Sequence, residues 1–73
     1  MDRRLKFRQV EVFVEITRRR SLKAAAERLH LTQPAISKTL RELETQLGAT
    51  LLLRDRGGVT LTPEGAVFLQ FAQ

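Results

Sequence analysis

Cysteine is absent from this chain, and with it any disulfide staple and any thiolate metal site. There is a single histidine, His30, between Leu29 and Leu31. Without a second His or a Cys it completes no metal site, and a packed or capping role is expected for it ahead of ligation. No apolar run approaches the ~20 residues of a membrane span. The opening stretch, residues 1–10, is charged with no apolar run behind it, unlike a secretory signal. No Walker-type loop and no dinucleotide glycine motif occurs. A hydrolase-like set would have to combine Ser21 or Ser37, His30, and Asp2 or Asp55. Nothing orients these together and no oxyanion loop is evident, so an enzyme is not expected. Repeats and low-complexity segments are missing too. What remains is one small cofactor-free domain that fits a reducing cytoplasm.

Positive charge is what the chain does have. Its 73 residues carry 13 Lys and Arg against 8 Asp and Glu, a formal net charge of +5. Such an excess fits an anionic partner, duplex DNA being the commonest for a small cytosolic domain, and fits equally a merely soluble basic protein. A chain of this size buries only about 60% of its unfolded surface, so local chemistry must work hard to hold it.

Apolar periodicity predicts a first helix over residues 7–19. Val10, Phe13 and Val14 recur at helical spacing with Phe7 and Ile16 near the same stripe, and Glu11 and Glu15 fall on the other side. Arg18, Arg19 and Arg20 close it, either opposing the helix dipole or clamping a phosphate. Ser21 is a good N-cap for a second helix over 22–29, rich in Ala24, Ala25 and Ala26. Leu22, Ala25 and Leu29 form its expected inward stripe, and His30 and Leu31 fill a turn. Thr32 caps a third helix with Pro34 in its first turn. Ile36, Leu40, Leu43 and Leu47 make its core stripe, and Gly48 ends it.

Short helix, tight turn and longer capped helix make a helix-turn-helix, whose second helix enters the major groove. Opposite the apolar stripe lie Gln33, Pro34, Ser37, Lys38 and Arg41. Gln pairs bidentately with adenine, Lys or Arg with guanine, and a small Ser lets the helix sit deep. Thr32 and the free N–H groups beside it suit a phosphate. Arg20, Ser21 and Lys23 are further candidates for the DNA backbone.

Residues 51–61 change character. Two short β-prone runs flank a glycine-containing turn, which predicts a hairpin, or wing. It carries Arg54 and Arg56, a residue type favoured in narrow A·T-rich minor grooves. Arg54 could instead pair with Asp55 or with an acid on a helix. Thr62-Pro63-Glu64 is another helix start, and the last helix holds Val67, Phe68, Leu69 and Phe71. The expected fold is mainly α, a winged helix-turn-helix of three helices, a short β-hairpin wing and the start of a fourth helix.

Several spaced motifs in order resemble the N-terminal domain of LysR-type transcriptional regulators. Val10-Glu11-Val12-Phe13, Ser21 through Leu29, Thr32-Gln33-Pro34-Ala35-Ile36-Ser37, Leu43-Glu44, Leu47-Gly48, Leu61-Thr62 and Gly65 carry the likeness. It implies residues 1–61 as the DNA-binding domain and 62–73 as the start of a dimerising linker helix with Val67, Phe68 and Phe71 at its interface. It implies a missing C-terminal effector-binding domain that responds to a small molecule. It also implies cytoplasmic, nucleoid-associated binding, as a dimer or tetramer, to an interrupted dyad near a promoter. By position, Gln33, Pro34, Ser37 and Lys38 become base and backbone readers and Arg54 the wing contact. Two departures stand out. Leu52 replaces the family's usual Phe, and Gly57 stands where the second wing cation is usual, with Arg56 beside it. The opening Arg3-Arg4-Leu5-Lys6-Phe7-Arg8 is similar to that of regulators of aromatic-acid catabolism, particularly protocatechuate. The competing expectation is a winged helix used for protein contact without sequence reading.

Overall fold

The helix ends are set by single residues with the right local chemistry. A computed structural model describes residues 5–72, in the order α1 (Phe7–Arg19), α2 (Leu22–Leu29), α3 (Gln33–Leu47), β1 (Leu52–Asp55), β2 (Gly58–Leu61) and α4 (Pro63–Ala72). Arg3 and Arg4, on which part of the likeness to aromatic-acid regulators rests, lie outside the described residues, as do Asp2 and Gln73.

Ser21 caps α2, its Oγ accepting from the Ala24 N–H at 3.0 Å, and Thr32 caps α3, its Oγ1 accepting from the Ala35 N–H at 3.2 Å. Each such cap contributes ~1 kcal/mol. The ends of α1, α2 and α3 all turn through a left-handed residue, respectively Arg20 (φ 54°), His30 (φ 59°) and Gly48 (φ 68°). His30 is therefore a cap residue. β1 and β2 pair antiparallel, Leu52 opposite Leu61 and Asp55 opposite Gly58. At the hairpin tip Asp55 Oδ1 accepts from the Gly57 N–H at 2.8 Å.

α1 is the central element, packed against α2, α3, β2 and α4. This corrects the expected stripe. Val12, Phe13 and Ile16 are fully buried, with Gln9 and Glu15 beside them. Phe7, expected near the stripe, is 80% exposed, because in the first turn it is Gln9 that faces inward. Glu15, expected outside, is buried yet charge-paired: Arg19 Nε lies 3.3 Å and Arg18 Nη1 3.6 Å from its oxygens. On α3, Ile36, Leu40 and Leu43 are buried as expected, whereas Leu47 in the last turn is exposed. On α2, Ala25 and Ala26 are buried, and Leu22 and Leu29 pack at the core's edge.

Leu51 joins the second half of the fold to the first. Glu44 Oε2 accepts from the N–H groups of Leu51 at 2.7 Å and Leu52 at 3.2 Å. The Leu51 carbonyl accepts from the Thr62 N–H at 3.0 Å. The Thr62 hydroxyl lies 2.6 Å from the Thr50 carbonyl and 3.2 Å from that of Leu51, and also accepts from the Gly65 N–H at 2.9 Å. α4 thus leaves the wing at a fixed angle. Its Phe68 meets Phe13 edge-on, ring centroids 5.3 Å apart at 69°, a contact of ~1 kcal/mol beyond burial.

Two outcomes are expected. A Cβ at Gly65 would collide with the Leu51 carbonyl oxygen. Gly65→Ala should therefore cost about 3 kcal/mol in urea unfolding, and a loss under about 0.5 kcal/mol would show that α4 can pivot away. His30→Gly removes a side chain from a left-handed position and should stabilise by about 0.5 kcal/mol, a few degrees in Tm.

Candidate nucleic-acid interface

Burial sorts α3 into two faces. With Ile36, Leu40 and Leu43 sealed in the core, Gln33, Pro34, Lys38 and Arg41 are exposed and Ser37 is half-exposed. Neither Lys38 nor Arg41 forms an ion pair among the described residues, so both cations face solvent. Pro34 leaves the first turn of α3 stiff and without a donor at that position. Thr32 and Ser21 each use an oxygen lone pair for capping, and each hydroxyl hydrogen stays available to an outside acceptor.

Two concavities flank this face. One, of about 260 Å³, lies between the α1–α2 turn, the start of α3 and the wing, and gathers Arg20, Ser21, Lys23, Gln33 and Arg54. Its walls are close because β2 approaches the α1–α2 turn tightly. A Cβ at Gly58 would stand 2.9 Å from the Arg20 carbonyl oxygen, and Gly58 has φ 119°, a conformation few side chains tolerate. Arg54 makes no ion pair with Asp55, whose Oδ1 is engaged at the hairpin tip. The second concavity, about 540 Å³, lies on the other side of α3 and brings Lys38 and Arg41 against Lys6 and Gln9 of α1.

The structure therefore brings together three of the expected sets, namely the α3 face, the α1–α2 turn and Arg54. Arg56 sits exposed at the wing tip and lines neither concavity. The residues expected on the linker helix divide. Val67 and Phe71 are 57% and 81% exposed, whereas Phe68 is half-buried against Phe13. Lys6 and Gln9 were not among the expected contacts. No local motif joins them to Lys38 and Arg41, because only the packing of α1 on α3 makes them neighbours. The three arginines after α1 serve different ends. Arg18 and Arg19 neutralise Glu15, and Arg20 turns toward the wing. Among the described residues no group of His, Cys, Asp or Glu could hold a metal ion, and no helix is long and apolar enough to cross a membrane.

Comparison with known proteins agrees with this arrangement. Residues 7–66 match the family described as bacterial regulatory helix-turn-helix protein, lysR family. The chain is 49% identical over 72 residues to the HTH-type transcriptional regulator PcaQ of Agrobacterium fabrum, covering 99% of this chain and 23% of that protein. It is 47% identical over 64 residues to the uncharacterized HTH-type transcriptional regulator YcgK of Bacillus subtilis, covering 88% of this chain and 20% of that protein. The chain thus spans less than a quarter of the length of these relatives, which are named as regulators and not as enzymes. Among solved structures it superposes on the CbnR_DBD–DNA complex with a TM-score of 0.88 and 40% identity, over 92% of this chain and 77% of that one. The BenM_DBD/catB site 1 DNA complex gives 0.88 and 37%, over 92% and 75%. The chain belongs to the lysR family of bacterial regulatory helix-turn-helix proteins.

Proposed function

We propose that this chain is the sequence-reading DNA-binding domain of a LysR-type transcriptional regulator. The observation that carries the reading is the exposed row Gln33, Pro34, Lys38 and Arg41 on a helix whose opposite face is locked in the core. α3 is held at its start by Thr32 and near its end by the Glu44 bonds to Leu51 and Leu52. It enters the major groove, Gln33 and Lys38 meeting base edges and Ser37 permitting close approach. Arg20, Ser21, Lys23 and Thr32 hold phosphates, and Arg54 and Arg56 of the wing reach the adjoining minor groove. The relatives solved as DNA complexes share this fold at 37–40% identity.

In the whole regulator, residues 1–61 form the reading unit and 62–73 begin the linker helix. Val67 and Phe71, apolar and exposed, suit a second copy of α4, and Phe68 serves that interface by holding the helix on Phe13. Two such units, one DNA turn or a multiple apart, read an interrupted dyad near a promoter. The response to a small effector belongs to a C-terminal domain outside this chain, and the regulator works in the cytoplasm at the nucleoid.

The deciding experiment is selection of bound duplexes from a randomised pool at moderate salt, which should enrich an interrupted dyad or its half-site. Binding that is salt-sensitive but enriches nothing would instead favour a protein-contact role. Lys38→Ala should leave Tm unchanged, weaken the selected duplex by about 1–3 kcal/mol and relax preference at one base position. Arg54→Ala should leave the central recognition intact and remove preference for A·T-rich flanks.

A further inference from the structure

The larger concavity beside α3 has a chemistry that recognition of bases does not use. The geometry points to a second phosphate-binding site there, formed by Lys6 and Gln9 of α1 with Lys38 and Arg41 of α3. Its ligand is a backbone phosphate of the same duplex whose major groove receives α3. This rests on the proposed function and extends the contact surface to an element that the recognition helix does not include.

Three cations, Lys6, Lys38 and Arg41, line the groove against one acid, Glu42. At about 540 Å³ it admits a phosphodiester. The second observation is Gln9. It is only 2% exposed, and its Oε1 accepts from the Lys6 N–H at 2.9 Å, which fixes the side chain. Its amide nitrogen donates to nothing among the described residues. Gln9 lines the groove beside the three cations. A fixed N–H donor ringed by cations suits an anionic oxygen. A phosphate also carries no base identity, so the site adds affinity and register without choosing sequence.

Lys38 and Arg41 thereby serve two functions, their positions on the edge of α3 placing them within reach of both a base edge and the strand that borders it. Glu42 opposes the phosphate and sets the strength of the site below its maximum.

The test is titration of the selected duplex and of a scrambled one by fluorescence anisotropy over a series of salt concentrations. Lys6→Gln should weaken both duplexes about three- to ten-fold at moderate salt and reduce the log–log salt slope by about one. Gln9→Glu keeps the oxygen that caps α1 and replaces the amide nitrogen with a negative oxygen. It should weaken both duplexes about ten-fold or more while thermal unfolding shows a folded domain. Glu42→Gln, an exposed change, should tighten both about two- to five-fold. The selected dyad should stay the same in all three. If Lys6→Gln and Glu42→Gln keep the parent's affinity and slope while Lys38→Ala is still weakened, the phosphate site is overturned and the proposed function stands. If the parent chain binds neither duplex, both are overturned.

Discussion

Every polar and apolar group of Leu51 is engaged, and the rest of the molecule is arranged around that residue. Its N–H is held by the Glu44 carboxylate, its carbonyl by Thr62, and its side chain is 1% exposed in the core. Hydrogen bonds to a charged acceptor of this kind are worth ~2 kcal/mol each. They do more than stabilise, since they tie the C-terminal part of α3, the root of the wing and the first turn of α4 to one peptide. The wing and α4 therefore keep a fixed relation to α3 through the Leu51 peptide. Gly65 follows from the same constraint, because α4 passes too close to that carbonyl for any side chain.

The charge distribution has a similar logic. Several acids are engaged internally: Glu15 with Arg18 and Arg19, Glu11 with Arg8 at 3.2 Å, Glu44 with two backbone donors, and Asp55 with the hairpin tip. Meanwhile Lys23, Lys38, Arg41, Arg54 and Arg56 form no ion pair among the described residues and are exposed. Net charge alone could not have distinguished a DNA-binding surface from a soluble basic protein. Placement is more informative, because Glu11, Glu15, Glu44 and Asp55 are engaged within the fold while Lys23, Lys38, Arg41 and Arg54 stay exposed around α3.

Helix limits were legible in the sequence because they depend on neighbours in sequence. Ser21, Thr32, Gly48 and Thr62-Pro63 mark them, and the structure places α1, α2 and α3 at the expected residues. The β-hairpin was legible for the same reason. Facing was less so. An apolar stripe locates a helix's buried side only when one neighbour covers it. α1 is covered by several, so its buried arc widens to take in Gln9, Val12 and Glu15 and still leaves Phe7 outside. In α4 nearly every residue is apolar, and only the position of Phe13 turns Phe68 inward and Val67 and Phe71 outward. The α3 candidates were legible as the complement of a clear stripe. Lys6 and Gln9 were not, since nothing local relates them to Lys38.

The Phe13–Phe68 contact has a kinetic consequence. The ties around Leu51 and the turns between helices close short loops, which cost little chain entropy and form fast. Phe13 and Phe68 are far apart in the sequence, so their meeting closes a long loop, with Leu69 and Ala72 packing on the core beside it. The pair thus clasps the last helix to the first across a loop that contains α2, α3 and the wing.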